Sequence, residues 1–248
     1  MIADCLQAIP ALQAVIVPIN TRLTEAEVAY LLENSEAKFV LVDYDCAHLV
    51  ASASVPVIIC SDGKPGCDYE KFLEEGAAYD AATGGHEWAG LEFVADEMAT
   101  FSINYTSGTT SQPKGVETSY RGTYLAGIAN AVESGLVKDN RSTKYLWILP
   151  MFHCVSPSFR PLSRSLTRIC AQNGWCFPYA CTMAMVTQVC MRAVGNYDQI
   201  WDLLNNGGVT HYSGAPTVQL SISQHPHARQ SSFPQFLPRA VSDFPPTR

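Results

Sequence analysis

The chain has 248 residues, 47% of them hydrophobic, so it can bury a substantial core as one large domain or two small ones. Its formal net charge of −7, without any run of lysines and arginines, argues against nucleic-acid binding, because such proteins usually display a basic face. No basic signal-peptide region precedes Arg22 and no apolar run is long enough to span a membrane, which predicts a cytoplasmic protein.

In chain order, the first predicted elements form a helix followed by two strands. Thr24-Glu-Ala-Glu27 has the spacing of a capping box, and apolar residues then recur on one helical face, which predicts a helix over 24–34. Short runs rich in β-branched residues predict strands at 38–43 and 55–60, with a helix-compatible segment at 45–53 between them.

The same alternation continues through the rest of the chain. Asn196 is the predicted N-cap of a helix that Gly207 and Gly208 end. The further predicted elements are strands at 101–105, 145–149, 188–192 and 209–212 and helices at 118–133 and 197–205. Alternation of this kind predicts an α/β fold with largely parallel sheets, whose ligands bind at the carboxyl ends of strands.

One loop carries the strongest functional signal. It follows strand 101–105, is expected to lead into helix 118–133, and is rich in hydroxyls, with two glycines and Lys114. Glycines allow the backbone to approach a ligand, and hydroxyls with an ammonium group suit a polyphosphate. Glu117 would then lie in the first turn of the helix, where a carboxylate is favourable. By composition alone, a solvated Ser/Thr/Gly linker explains the loop equally well.

The residues of this loop match a longer motif. Tyr105-Thr-Ser-Gly-Thr-Thr-Ser-Gln-Pro-Lys-Gly-Val116 resembles the signature loop of the adenylate-forming (AMP-binding) superfamily, most of all that of stand-alone acyl-CoA synthetases, although Ser111 replaces a common glycine. The resemblance extends upstream to 17–24 and downstream to 214–217. It implies a partial N-terminal domain of the acyl-adenylate-forming fold, with layered, mostly parallel sheets and helices.

The resemblance also implies a chemistry and a set of residues. The substrates would be a small carboxylic acid, ATP and coenzyme A, with Mg²⁺ bridging the phosphates, and an acyl-adenylate would be the intermediate. The catalytic candidates are Lys114 and His153. The acid would meet His153, Gly214 and Ala215, although a half-buried structural histidine is the alternative reading of His153. The phosphate-binding residues would be Thr106, Ser107, Gly108, Thr109, Thr110, Ser111, Lys114 and Gly115.

For several side chains, a purely structural role is an alternative to a functional one. Trp147, Trp175 and Phe177 could line an acyl pocket, but aromatic residues on such elements are more often core. The nine cysteines form no Cys-x-x-Cys pair, which predicts reduced, buried thiols. His225 and His227 have no cysteine or carboxylate near them in the sequence, so we expect loop histidines and no metal site.

Two segments depart from the family pattern. Residues 155–172 interrupt it with three arginines, four serines and no acid, and are either sequence read through from an intron or a genuine surface loop. The proline-rich stretch 223–248 predicts a disordered tail, which leaves 1–222 as a partial AMP-binding domain. The later family motifs and the C-terminal lid domain are absent, so we expect impaired catalysis.

Three functions are therefore open. The chain is an AMP-forming acid–CoA ligase-like protein, a non-catalytic remnant that binds nucleotide, or a fragment of a peptide-synthetase adenylation domain. The joined Met151-Phe-His-Cys154 and Asn173-Gly-Trp-Cys-Phe-Pro178 patterns favour the ligase. The acyl substrate, the oligomeric state and the pathway are not encoded in these residues.

Overall fold

The computed structural model describes residues 1–61, 66–84, 94–106, 112–137, 142–152, 176–192 and 194–229. The chain divides into two units, Met1–Tyr120 and Arg121–Arg248. Within the described ranges, no helix is both long and apolar enough to cross a membrane.

The first unit contains three α-helices and two small sheets. Its helices are α1 (Ile2–Ala11), α2 (Glu25–Asn34) and α3 (Asp68–Thr83), and a 3₁₀ helix spans Tyr44–Val50. Its strands are β1 (Val40–Asp43), β2 (Val57–Cys60), β3 (Thr100–Thr106) and β4 (Lys114–Ser119). Strands β1 and β2 are parallel, whereas β3 and β4 form an antiparallel hairpin.

Helix α2 begins where the capping box predicts. The Thr24 side chain accepts the backbone N–H of Glu27 at 3.3 Å, and the Glu27 carboxylate accepts the backbone N–H of Thr24 at 2.7 Å. These two bonds satisfy backbone donors that the first turn leaves unpaired. The helix then buries Val28 and Leu32 against β1 and the 3₁₀ helix, in a cluster whose other buried members are Val40, Val42, Leu49 and Val50.

The second unit is built on a parallel sheet. Its strands are β5 (Lys144–Trp147), β6 (Thr187–Cys190) and β7 (His211–Ser213), in the order β6-β5-β7. Its helices are α4 (Tyr120–Glu133), α5 (Phe177–Met183), α6 (Tyr197–Asn205) and α7 (Pro216–Gln224), and a 3₁₀ turn follows at Pro226–Arg229.

Helices α6 and α7 pack together over this sheet. The Trp201 indole is 1% exposed and donates from Nε1 to the Ile222 carbonyl at 3.2 Å. Both residues belong to a buried cluster with Leu146, Ile148, Ile200, Val209 and Tyr212. Burial of a side chain of this size dominates the stability of its surroundings, and the indole hydrogen bond removes the cost of burying a polar atom.

The predicted α/β fold with largely parallel sheets is confirmed, and several details are corrected. The helix-compatible segment at 45–53 corresponds to a 3₁₀ helix, Tyr44–Val50. Helices α1, α3, α5 and α7 and strand β4 were not predicted. The tail was predicted to begin at Ser223, yet α7 runs to Gln224 and a 3₁₀ turn follows, so that boundary is wrong. Residues 155–172 and 230–248 lie outside the described ranges.

The cysteines are less uniformly buried than expected. Cys176 and Cys181 are buried, but Cys190 is exposed and four others are half-buried. Cys190 is the last residue of β6, an edge strand among the described strands of its sheet. The prediction of buried thiols is therefore wrong for Cys190.

Candidate functional site

The motif loop connects the two strands of an antiparallel hairpin. Strand β3 ends at Thr106, β4 begins at Lys114, and these two residues pair across the hairpin. The expectation that the loop leads directly into a helix is wrong, because β4 pairs with β3 before α4 begins. Of the predicted phosphate-binding residues, Thr106, Lys114 and Gly115 lie at this end of the hairpin. The others, Ser107, Gly108, Thr109, Thr110 and Ser111, fall outside the described residues.

Thr106 and Lys114 share one face of the hairpin. Residues directly opposite in an antiparallel pair lie on the same face, and successive residues alternate between faces. By this register, Ser102 and Thr118 share that face with Thr106 and Lys114. Lys114 is exposed and has no ion-pair partner among the residues that the structure describes. Its ammonium group is therefore not committed to a carboxylate among these residues.

Buried polar side chains continue along the same face of the hairpin, away from the loop. Ser102 and Asn104 are 0% exposed and Thr118 is 6% exposed. The Asn104 amide donates from Nδ2 to Ser102 Oγ at 3.0 Å, and the hydroxyls of Ser102 and Thr118 lie 2.6 Å apart. Asn104 Oδ1 is buried without a hydrogen-bond partner among the described residues. Because a buried polar atom without a partner is costly, this oxygen is a candidate acceptor for a donor near the loop.

This polar row was not recognised in the sequence. Its signal is the spacing of Ser102, Asn104 and Thr106, which are polar at every second position of a strand otherwise containing Phe101, Ile103 and Tyr105. In a strand, that alternation places all three polar groups on one face.

Gly115 belongs to the opposite face, where the packing is tight. A Cβ at this position would lie 3.0 Å from Ile103 Cγ2 and 3.4 Å from Tyr105 Cζ. The Tyr105 hydroxyl donates to Asn34 Oδ1 at 2.6 Å, and partial burial raises the pKa of this phenol. Because Gly115 has no side chain, the Tyr105 ring can lie across β4. The hydrogen bond from its hydroxyl to Asn34 then holds β3 against the end of α2.

Glu117 also differs from expectation. It lies in β4 opposite Ile103, and not in the first turn of a helix. Its carboxylate accepts the Thr100 hydroxyl at 3.0 Å. The strand alternation places Glu117 on the face opposite Lys114, so its negative charge is directed away from that lysine.

The second unit holds the other predicted site residues. Strands β5 and β7 are parallel neighbours with Trp147 opposite Ser213, so their carboxyl ends meet at one edge of the sheet. Gly214 and Ala215 follow β7 at this edge. A Cβ on Gly214 would lie 3.1 Å from Gln219 Nε2, so a larger residue would displace that side chain. His153 lies outside the described residues, which continue after β5 as far as Phe152.

The aromatic residues next to this edge are core rather than pocket lining. Trp147 is 2% exposed and donates from Nε1 to Gln188 Oε1 at 2.9 Å, and Phe177 is 3% exposed. The Tyr145 ring stacks on Phe177 with centroids 5.2 Å apart and contacts Trp147 at 5.0 Å. Burial holds the pKa of the Tyr145 phenol well above its usual range, so it stays protonated. Trp175 lies outside the described ranges.

Comparison with known proteins supplies independent information. The family model for the AMP-binding enzyme matches residues 5–164. Over 244 residues the chain is 32% identical to acetate–CoA ligase CCL3 of Humulus lupulus, covering 88% of this chain and 38% of that protein. It is 33% identical over 231 residues to the peroxisomal butyrate–CoA ligase AAE11 of Arabidopsis thaliana, covering 85% of this chain and 35% of that protein.

Solved structures give the same fold. The inhibitor-bound N-terminal domain of FACL13 from Mycobacterium tuberculosis superposes with a TM-score of 0.62 at 23% identity. The superposition covers 91% of this chain and 50% of that one. The chain therefore spans less than two-fifths of the two curated relatives and half of this domain structure.

Proposed function

Because the chain belongs to the AMP-binding enzyme family, we propose that its β3–β4 hairpin binds the phosphates of ATP in an AMP-forming acid–CoA ligase. The observation that carries the proposal is the pairing of Thr106 with Lys114 at the end of the hairpin. This pairing presents a hydroxyl and an ammonium group on one face, at the two ends of a hydroxyl-rich loop that contains Gly108. Hydroxyls and a cation in this arrangement suit a polyphosphate.

The reaction would proceed in two transfers. In the first, a carboxylate oxygen of the acid attacks the α-phosphorus of ATP, the bond from that phosphorus to the bridging oxygen breaks, and pyrophosphate leaves. In the second, the thiolate of coenzyme A attacks the acyl carbon and AMP leaves. Lys114 and Thr106 would stabilise the charge that develops on the departing pyrophosphate, which is a large term wherever donors are already in place.

The hairpin fits the phosphates better than it fits a metal ion. Among the described residues of β3 and β4, Glu117 is the only carboxylate, and it lies on the face opposite Lys114 and accepts a bond from Thr100. Mg²⁺ bound with ATP would supply charge neutralisation between the phosphates. We propose that it is carried by the phosphate oxygens and not by this hairpin.

The acid is proposed to lie at the carboxyl edge of β5 and β7. Gly214 and Ala215 stand at this edge, and His153 follows the segment that leaves β5. Ligands of α/β sheets bind at the carboxyl ends of the strands, which supports this placement. The names of the two relatives point to short-chain acids, and acetate and butyrate are therefore the first substrates to test.

The test is the exchange of labelled pyrophosphate into ATP by the full chain, with acetate, butyrate or an amino acid present. We expect exchange that depends on acetate or butyrate and falls at least ~10-fold in Lys114→Ala, since loss of a preorganised charge stabiliser has effects of this size or more. Lys71→Ala is the matched control, because Lys71 is an exposed lysine on α3. It should retain the parent rate.

The possible outcomes separate the candidate functions. Exchange driven only by amino acids would indicate a peptide-synthetase adenylation domain. Calorimetric binding of ATP and Mg²⁺ that requires Lys114, without any exchange, would indicate a non-catalytic nucleotide-binding protein. If Lys114→Ala and the parent bind ATP equally and exchange equally, the proposed role of the hairpin is wrong.

A further inference from the structure

Three side chains of types that bind metal ions converge in the second unit. Asp198 lies in the first turn of α6, and His225 and His227 flank Pro226 just after α7. His225 Nε2 lies 3.5 Å and His227 Nδ1 lies 3.6 Å from the same oxygen, Asp198 Oδ1. The sequence has no carboxylate near these histidines, but folding brings Asp198 to them from a distant part of the chain.

The two N···O distances are close to the separation between neighbouring ligand atoms around a metal ion. N–H···O hydrogen bonds normally span about 2.7–3.2 Å, so both N···O separations are too long for good bonds. Ligands about 2.0–2.1 Å from a tetrahedral zinc ion lie about 3.3–3.4 Å from one another. The three ligand atoms all lie within 4.8 Å of one another, so a small movement would complete such a shell.

The backbone that carries these ligands is held by buried structure. The Trp201 indole bonds to the Ile222 carbonyl, which ties α6 to α7 next to the three residues. The backbone N–H of Ala228 donates to the His225 carbonyl at 2.9 Å, which closes the turn between the two histidines. Asn196 caps α6 by accepting the Gln199 N–H at 3.0 Å. Because the backbone is ordered before binding, an ion would not have to organise it.

The exposure of these three side chains also suits a metal ion. The Asp198 side chain is 76% exposed and that of His227 is 46% exposed, which leaves a path from solvent, whereas His225 is 19% exposed. The backbone N–H of His227 donates to His225 Nδ1 at 3.4 Å, a long hydrogen bond that joins the two histidines within the turn.

We propose that Asp198, His225 and His227 form a binding site for a divalent transition-metal ion of the Zn²⁺ class. Two imidazole nitrogens and one carboxylate are typical zinc ligands, whereas Mg²⁺ and Ca²⁺ prefer oxygen ligands throughout. Three protein ligands leave the fourth tetrahedral position to water. The ion would fasten the turn after α7 to the beginning of α6.

The test is zinc titration of the full chain after removal of metal with a chelator. We expect one ion per chain at this site, an increase of the melting temperature that saturates with zinc, and little response to Mg²⁺ at the same concentration. Asp198→Asn and His227→Ala should each weaken zinc binding at least ~10-fold. His48→Ala is the matched control, because His48 is an exposed histidine in the first unit, and its affinity should match that of the parent.

A second measurement excludes zinc bound by cysteine, since Cys190 is exposed. Co²⁺ at the proposed site should give visible d–d bands without a thiolate charge-transfer band, and the bands should be lost in Asp198→Asn. This carboxylate is exposed, so the variant is expected to keep the parent circular dichroism spectrum. The proposal is overturned if zinc binds the parent and Asp198→Asn/His227→Ala equally, or if the parent binds no zinc. A thiolate band that persists in the double variant would also overturn it.

Discussion

Ser102→Ala tests the buried polar row that supports the hairpin. The Ser102 hydroxyl meets both the Asn104 amide, at 3.0 Å, and the Thr118 hydroxyl, at 2.6 Å. Its removal leaves two buried polar groups without this partner, and each such group costs about 1–3 kcal/mol. The Thr118 hydroxyl retains a weak contact, at 3.5 Å, to the Ser102 carbonyl. The cost of leaving this hydroxyl without Ser102 therefore lies at the low end of that range. The expected loss is about 2–4 kcal/mol.

Hydrogen exchange of the β3 and β4 amides is the appropriate assay, because it reports the opening free energy of the hairpin itself in a chain of two units. Thr118→Val and the double variant complete a cycle, in which we expect a coupling energy of about 1–2 kcal/mol between the two hydroxyls. Ser221→Ala is the control, since that hydroxyl makes a solvent-exposed hydrogen bond to the Thr217 carbonyl within α7. A change below about 0.5 kcal/mol in Ser102→Ala, or no coupling in the cycle, would refute the reasoning.

Two further predictions concern a buried thiol and a helix cap. Burial raises the pKa of Cys181 from 9.0 to about 12, so the folded state keeps this proton at a pH where the unfolded state releases it. The contribution of this thiol to the free energy of unfolding is therefore fully present below pH 9 and is lost as the pH rises from 9 towards 12. Between pH 8 and 10, the free energy of unfolding of Cys181→Ala, measured by urea titration, should fall less than that of the parent, by an amount on the order of 1 kcal/mol, and parallel curves would contradict this. Thr24→Ala should destabilise α2 by about 0.5–2 kcal/mol in amide exchange, whereas Thr24→Ser should restore the cap. Equal protection of α2 in both variants would show that the capping box contributes nothing.

Part of the fold could be predicted from the sequence because it depends on local interactions. The Thr24 capping box and the Asn196 cap were predicted at the residues where they occur, because each needs partners only three positions away. The helix 197–205 was predicted with its observed bounds, since its apolar residues recur on one face and bury Ile200 and Trp201.

The elements that were missed lack such local signals. Helix α3 has no buried residue, so no apolar stripe marks it. Strand β4 carries Lys114, Glu117 and Thr118, and only its pairing with β3 makes it a strand. Helix α1 contains Pro10, which argues against a helix in any local reading, yet Pro10 is buried at its last turn and its carbonyl accepts the Tyr120 hydroxyl.

By itself, the sequence determined the family motif, the alternation of helices and strands, and the positions of Thr106, Lys114 and Gly115 next to a hydroxyl-rich loop. Only the tertiary structure decided that this loop joins two antiparallel strands, that Ser102 and Thr118 share a hydrogen bond beneath it, and that Asp198 meets His225 and His227. The physical reason is the range of the interactions: caps and periodic faces form within a few residues, whereas these contacts depend on strand register and helix packing between distant segments.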